Sequence, residues 1–320
     1  MASWQAHLAV WILRLRFKPS LARADGDILR MRKLMTPPPI RIPRGVTITP
    51  AEVGGIAGEW VEGKRSEHTL LYLHGGGYFA CSAETHRPIT LGFAQQGFRV
   101  FAPNYRLAPE HPFPAAVEDA AAVWRGLIEQ GNSPREMVVA GDSAGGGLAL
   151  ALLVASRDRG NPLPAAAALF SPWTDLAATG DSIRVNDRRC AMFAGAGIGP
   201  GARRYLAAED ARNPLASPLY ADLSCFPPLL IHAGSDEVLL DDSRRLAERA
   251  RAAGVAVELK IWPVVPHAWQ LAYPMLPEAR QSIREASAFL VGRALRLPAS
   301  EARRMEAGES PAPPATGIHC

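Results

Sequence analysis

Ser143 stands in the string MVVAGDSAGGG, Met137 to Gly147, where four apolar residues run into Gly141-Asp142-Ser143-Ala144-Gly145. An alanine- and leucine-rich stretch follows, from Gly147 to about Arg159. A strand that turns sharply into a helix at G-x-S-x-G holds its serine in a strained conformation, and the flanking glycines leave room for the turn. The hydroxyl then lies at a helix N-terminus, where partial positive charge favours a developing oxyanion. A serine hydroxyl is a poor nucleophile at neutral pH, so it needs a base, and the base needs an orienting acid.

Two downstream strings can supply them in the order serine, acid, base. Asp236 follows the apolar run 229–233 in IHAGSDEVLLDD, and His267 follows the run 257–262 in WPVVPHAW. Both fall at the carboxyl ends of expected strands, the edge where open α/β sheets bind ligands. Glu237 shares the loop of Asp236, while Asp241 and Asp242 read as N-terminal charges of the next helix. The remaining histidines fit less well: His7, His86 and His111 are misplaced, His68 precedes a strand, His232 lies inside one and His319 is in the tail. Asp236 is therefore expected as the acid and His267 as the base.

A third string, HGGGY from His74 to Tyr78, follows the apolar run 69–73. Acyl transfer builds negative charge on a carbonyl oxygen, and each preorganised backbone N–H stabilises it by ~3 kcal/mol. Successive glycines allow the close backbone approach this needs. Gly75, Gly76 and Gly77 are the candidates, with Gly76 and Gly77 as donors and Ala144 as a third. His74 is expected to brace the loop.

These strings need a scaffold, and the chain between them alternates strand and helix. Expected strands cover 46–49, 56–61, 69–73, 99–102, 137–140, 165–171, 229–233 and 257–262, the first two joined by the Gly54-Gly55 turn. Expected helices cover 87–96, 113–130, 147–159, 239–253 and 277–295. Repeated βα alternation predicts an α/β fold with a mostly parallel central sheet covered on both faces. The proline-rich stretch 36–43 reads as a linker. Residues 1–45 are expected to form N-terminal cap helices and linker. The catalytic domain is expected over 46–297, with a cap insertion at about 176–215. Residues 298–320, with PAPPA, read as a disordered tail.

The 320 residues are 48% apolar and 21% charged, ordinary for a globular enzyme, and no apolar run reaches spanning length. Cys81, Cys190, Cys225 and Cys320 show no CxxC and no framework spacing, which fits a reducing, cytoplasmic location. Cys81, close behind the glycine string, reads as an inert small apolar residue. Residues 1–33 carry seven Lys/Arg and two Asp, leaving 28 basic and 29 acidic residues for the rest. Such an arm suggests nucleic acid or an anionic membrane. It is not a charge block, however, since Trp4, Leu8, Trp11, Ile12 and Leu15 recur at helical spacing beside Arg14, Arg16 and Lys18. The expectation is a helix packed over the protein's own core or pocket, with no nucleic-acid partner and with peripheral membrane contact as the rival reading.

HGGGY with THR (Thr85 to Arg87), NYRLAPEHPFPAAVEDA (Asn104 to Ala120), GDSAGGG, SPWTDL (Ser171 to Leu176) and DEVLLDD together resemble the hormone-sensitive-lipase family of bacterial α/β-hydrolase esterases. The resemblance runs from about Ser3 to Leu295. It implies Ser143, Asp236 and His267 as a triad, an oxyanion hole at the glycines and Ala144, a cap over the site, and no metal or cofactor. It also implies a carboxylesterase acting on short to medium acyl esters of small molecules, with homodimers paired along the edge near the last strand. The chain departs from the family pattern at Asp187-Arg188-Arg189-Cys190 and the following AGAGIGPGA. A ligand-binding protein on the same fold is the rival class, and retention of His267 speaks against it.

Overall fold

Runs that are apolar at almost every position suit strands covered on both faces. A computed structural model of the chain describes residues 2–294, so the expected tail at 298–320, with His319 and Cys320, lies outside the described residues. Eight strands form one sheet: β1 (Thr47–Val53), β2 (Ile56–Glu62), β3 (His68–Leu73), β4 (Phe98–Pro103), β5 (Met137–Asp142), β6 (Ala167–Phe170), β7 (Leu229–Gly234) and β8 (Val257–Trp262). Their order is β1-β2-β4-β3-β5-β6-β7-β8. β2 runs against both β1 and β4, and every other pair is parallel. This is the mostly parallel α/β sheet expected from the alternation, and it agrees with the α/β-hydrolase fold that the resemblance implies.

Alternate side chains of each strand feed two cores, as the two-residue period requires. Leu71, Leu73 and Val139 pack on the side of α5 (Ala115–Glu129), α6 (Ala144–Asp158) and α9 (Leu240–Ala252). Leu70, Tyr72, Val138 and Ala140 face α4 (Arg87–Ala94) and α10 (Pro277–Ala294) instead. Full burial of one such side chain stabilises by roughly 1.5–3 kcal/mol. From β3 the chain crosses to β4 on one side, and from β4 it returns to β5 on the other. That reversal opens a crevice at the carboxyl ends of β3 and β5.

Three helices precede the sheet: α1 (Trp4–Ile12), which continues through a π-helical turn at Leu13–Phe17, then α2 (Lys18–Arg23) and α3 (Ile28–Met35). Residues 36–43 carry no regular element, as the prolines dictate. Within the expected cap insertion at about 176–215 two α-helices form, α7 (Ser182–Val185) and α8 (Ile198–Leu206). α2 and α3 lie outside the N-terminal stripe and bury Leu21 and Met31 in the main core. The expectation that the stripe itself packs over the protein's own core fails for α1. There Ala6, with Ala2 and Ala9 beside it, packs on Trp262, Val265, Trp269 and Leu276, and Trp4, Leu8, Trp11, Ile12 and Leu15 remain exposed. Small side chains let the helix lie close to two indole rings, so the bulky face points away.

Candidate active site

β5 ends at Asp142 and α6 begins at Ala144, leaving Ser143 alone in the turn with φ 52° and ψ −123°. That left-handed φ is costly for a residue with a Cβ. The turn closes because its neighbours are glycines: a Cβ on Gly145 would come within 2.0 Å of the Leu73 carbonyl oxygen, and one on Gly141 within 2.4 Å of the Gly145 carbonyl oxygen. The serine is clamped from both sides, its N–H donating to the Phe170 carbonyl at 2.8 Å and its carbonyl accepting from Trp173 N–H at 2.9 Å.

His267 follows β8, is almost fully buried and lines the same cavity as Ser143. Its Nδ1 lies 2.7 Å from Glu237 Oε2. Its Nε2 has no hydrogen-bond partner among the described residues. The ring edge is held by Phe193, with centroids 5.0 Å apart and planes at 76°. The carboxylate against the imidazole thus belongs to Glu237, and the assignment of Asp236 is corrected. Asp236 turns outward, where its Oδ1 meets Arg189 Nη2 at 2.6 Å. Glu237 is buried, and its other oxygen, Oε1, accepts from Ser171 Oγ at 2.6 Å and from Gly234 N–H at 2.5 Å. Only the longer side chain, anchored at the base of its own turn, reaches His267 through that cradle. Asn186 fixes the turn from the other side, donating to the carbonyls of Glu237 and Ser235.

Sequence reasoning placed Glu237 in the right loop but passed over it, and it missed Ser171. Ser171 has φ 47°, is buried, and accepts from Ala268 N–H at 3.2 Å while donating to Glu237. It therefore ties the acid turn to the histidine turn. Its place at the end of β6, in SPW, was the only signal available, and that string carries no mark of such a role.

The glycine string divides. Gly75 N–H donates to Asp142 Oδ1 at 3.0 Å, so it is engaged inside the protein and cannot serve as an oxyanion donor. Gly76 and Gly77, at φ 117° and 64°, line the cavity, and among the described residues their N–H groups meet no acceptor. Ala144 is the first residue of α6, and a first-turn N–H has no intrahelical acceptor. Beneath the loop, Asp142 also accepts from Tyr72 OH at 2.6 Å and meets His86 Nε2 at 3.3 Å. Burial would raise the pKa of Asp142, but His86, Tyr72 and the Gly75 N–H outweigh it and hold the carboxyl below its usual value. His74 stacks on Tyr105 at 4.2 Å, and burial, reinforced by His86, drives its pKa down to about 3. It stays neutral and braces the loop, as expected.

The cavity measures about 510 Å³ and is walled by apolar side chains. Among its aromatic and methionine residues are Phe17, Met31, Met35, Trp173, Met192 and Phe193. Trp11 is exposed, while Tyr78 and Tyr205 stack on each other at 3.8 Å inside the core. Cys81 also lines the cavity, but burial pushes its thiol up to about 12, so it carries no thiolate at neutral pH. Among the described residues no group of three or more His, Cys, Asp or Glu side chains is placed to hold a metal ion.

This geometry defines a serine hydrolase site on an α/β sheet, and the comparisons with known proteins agree. The chain belongs to the α/β-hydrolase fold family, whose sequence profile matches residues 70–271. An acetyl-hydrolase of Streptomyces hygroscopicus is 49% identical over 252 residues, covering 78% of this chain and 83% of that protein. The crystal structure of EstE5 soaked with ethyl alcohol superposes with a TM-score of 0.88 at 41% identity, covering 92% of this chain and all of the other. An esterase of the bacterial hormone-sensitive-lipase family gives 0.87 at 39% identity, covering 92% and 99%. Within the fold family, the chain is a carboxylic ester hydrolase of the bacterial hormone-sensitive-lipase type.

Proposed function

We propose that ester hydrolysis runs through Ser143, His267 and Glu237. The observation that carries this reading is His267, tied at Nδ1 to a buried carboxylate, unpartnered at Nε2 and sharing one cavity with Ser143. His267 Nε2 takes the hydroxyl proton as Ser143 Oγ attacks the ester carbonyl, and Glu237 stabilises the imidazolium and holds its tautomer. The oxyanion rests on the N–H groups of Gly76, Gly77 and Ala144. The alcohol leaves with the proton from His267. Water then repeats the sequence on the acyl-enzyme, releasing the carboxylic acid and Ser143.

The helices before residue 36 and the 176–215 segment act as a cap, since Phe17, Leu21 and Met31 from one and Met192, Phe193 and Ile198 from the other wall the cavity. An apolar chamber of this size suits short to medium acyl esters. Turnover of p-nitrophenyl esters from acetate to laurate tests this, with the maximum expected below laurate. Ser143→Ala is expected to lower kcat by a factor on the order of 10⁶. A variant that keeps the wild-type rate would overturn the assignment.

Two features of the wider reading are also proposals. β8 is an edge strand with no strand paired to its outer side among the described residues, which supports a homodimer formed there; light scattering of the purified protein tests it. A cytoplasmic location, which fractionation of the producing cell tests, rests on the free thiols of Cys81 and Cys190 alone, since Cys225 is disulfide-bonded and the expectation of wholly reduced cysteines is not met. Among the described residues no helix is long and apolar enough to cross a membrane.

A further inference from the structure

We propose that the outer face of α1 and the π-helical turn after it docks on an anionic lipid surface. Helix packing on a globular domain normally turns the apolar face inward. In α1 the arrangement is inverted: Ala6 and Ala9 face the protein, while Trp4 is 70% exposed, Trp11 60% and Leu15 54%, with Leu8 and Ile12 also outside. The helix is no loose arm. Ser3 caps it by accepting from Ala6 N–H, and Ser3 N–H and Oγ both donate to Glu278, at 2.6 and 2.9 Å. At its far end Arg14 donates to the Arg189 carbonyl, and Lys18 to the carbonyls of Asp187 and Cys190. A rigid platform therefore presents five large apolar side chains, two of them tryptophans, to the surroundings. Indole rings on a helix lying flat in the headgroup region have one apolar body and one N–H for the wet side.

Charge selects the occupant. Residues 1–33 carry seven Lys/Arg and two Asp, a surplus of five, whereas the other 287 residues carry 28 basic and 29 acidic groups. One of the two aspartates is already paired, Asp25 with Arg204. Arg16, Arg30 and Lys33 are exposed and make no ion pair among the described residues. A second copy of the chain meeting this face about a two-fold axis would bring the same patch on both sides, setting two positive surpluses against each other. An anionic bilayer matches both the apolar stripe and the positive surplus of the same N-terminal segment. The helices carrying these cations also wall the cavity through Phe17, Lys18, Leu21, Met31 and Met35. Docking there places the cap, and with it the way to Ser143, against the lipid.

The test is sedimentation of the full-length protein with vesicles of phosphatidylcholine alone or with about one-third phosphatidylglycerol, a fraction chosen to give a strong surface charge. Wild type is expected to bind the anionic vesicles roughly tenfold or more tightly than the neutral ones, with binding falling as salt is added. Trp4→Gln, Leu8→Gln and Trp11→Gln combined are expected to cut partitioning roughly tenfold or more. Arg16→Gln, Arg30→Gln and Lys33→Gln combined should erase the preference for anionic lipid. Lipids brominated in the acyl chain are expected to quench part of the tryptophan fluorescence of wild type and not of the Trp4/Leu8/Trp11 variant. None of these six residues lines the cavity, so both variants should hydrolyse a soluble p-nitrophenyl ester at the wild-type rate, which separates failure of docking from failure of the esterase reading. No binding by wild type, or unchanged binding by the stripe variant, overturns the proposal. So does a wild-type oligomer that the stripe variant converts to monomer, because the face would then belong to a second copy.

Discussion

Exchanging one carboxylate for its amide at two adjacent positions separates the acid read from the sequence from the acid found in the structure. In Glu237→Gln the amide oxygen can still accept from Ser171 Oγ and Gly234 N–H, so the cradle is kept. The amide nitrogen would then face His267 Nδ1 across 2.7 Å, where the carboxylate oxygen stood. Two N–H groups cannot point at each other, so the imidazole is driven to carry its proton on Nε2. In that tautomer it cannot take the proton of Ser143. A comparable exchange in a serine protease triad costs a factor of about 10⁴ in kcat, equivalent to about 5.5 kcal/mol of transition-state stabilisation. In Asp236→Asn the loss is a pair with Arg189, whose side chain is 63% exposed. Exposed pairs contribute roughly 0–1 kcal/mol, so kcat should stay within about threefold of wild type. Steady-state turnover of p-nitrophenyl butyrate measures both, with circular dichroism checking that each variant folds. A loss of about 10³ or more in Asp236→Asn beside a near-normal Glu237→Gln would refute the assignment of the acid.

Gly145→Ala puts a Cβ 2.0 Å from the Leu73 carbonyl oxygen and 2.5 Å from that of His74. Strain of roughly 1–3 kcal/mol should appear as a lowered Tm, together with lost activity as the elbow shifts against the glycine loop. Asp242 is buried with one oxygen unpartnered, and burial raises its pKa to about 7, with the Asp175 charge acting the same way. A raised carboxyl pKa means the folded state holds a proton the unfolded chain releases near pH 4. Its contribution is therefore fully present below about pH 4 and is lost as pH rises to about 7. Asp242→Asn should remove that decline. Urea titrations from pH 4 to 8 should show its stability relative to wild type rising by a few kcal/mol across the window, and a flat difference would contradict the reading.

Most strands and helices were legible because their cause is local. The run at β8 was bounded correctly at 257–262, and the Gly54-Gly55 turn gave the antiparallel pair β1 and β2. Ser143 and His267, the proposed nucleophile and base, were legible for a different reason, since a strand-turn-helix string and a lone histidine beyond a late strand leave few alternatives. The acid was not legible to the residue. Asp236 and Glu237 are neighbours on one turn, both are carboxylates, and their side chains diverge only when Gly234 N–H and Ser171 Oγ capture one of them. Gly75 failed likewise. Three glycines in a row look equivalent until Asp142, 67 positions away, takes the first N–H.

By itself, then, the sequence determined the layered α/β architecture and singled out the proposed nucleophile, base and oxyanion loop. Each follows from residue type, hydrophobic period and chain order, which act over a few positions. Only the tertiary structure decided which carboxylate serves the histidine, which glycines keep free N–H groups and which face of α1 meets the surroundings. Those choices depend on groups far apart in the chain arriving within hydrogen-bond or van der Waals reach. Ala6 against Trp269 turns Trp4 and Trp11 outward. No periodicity within the helix could say which of its two faces would find a partner.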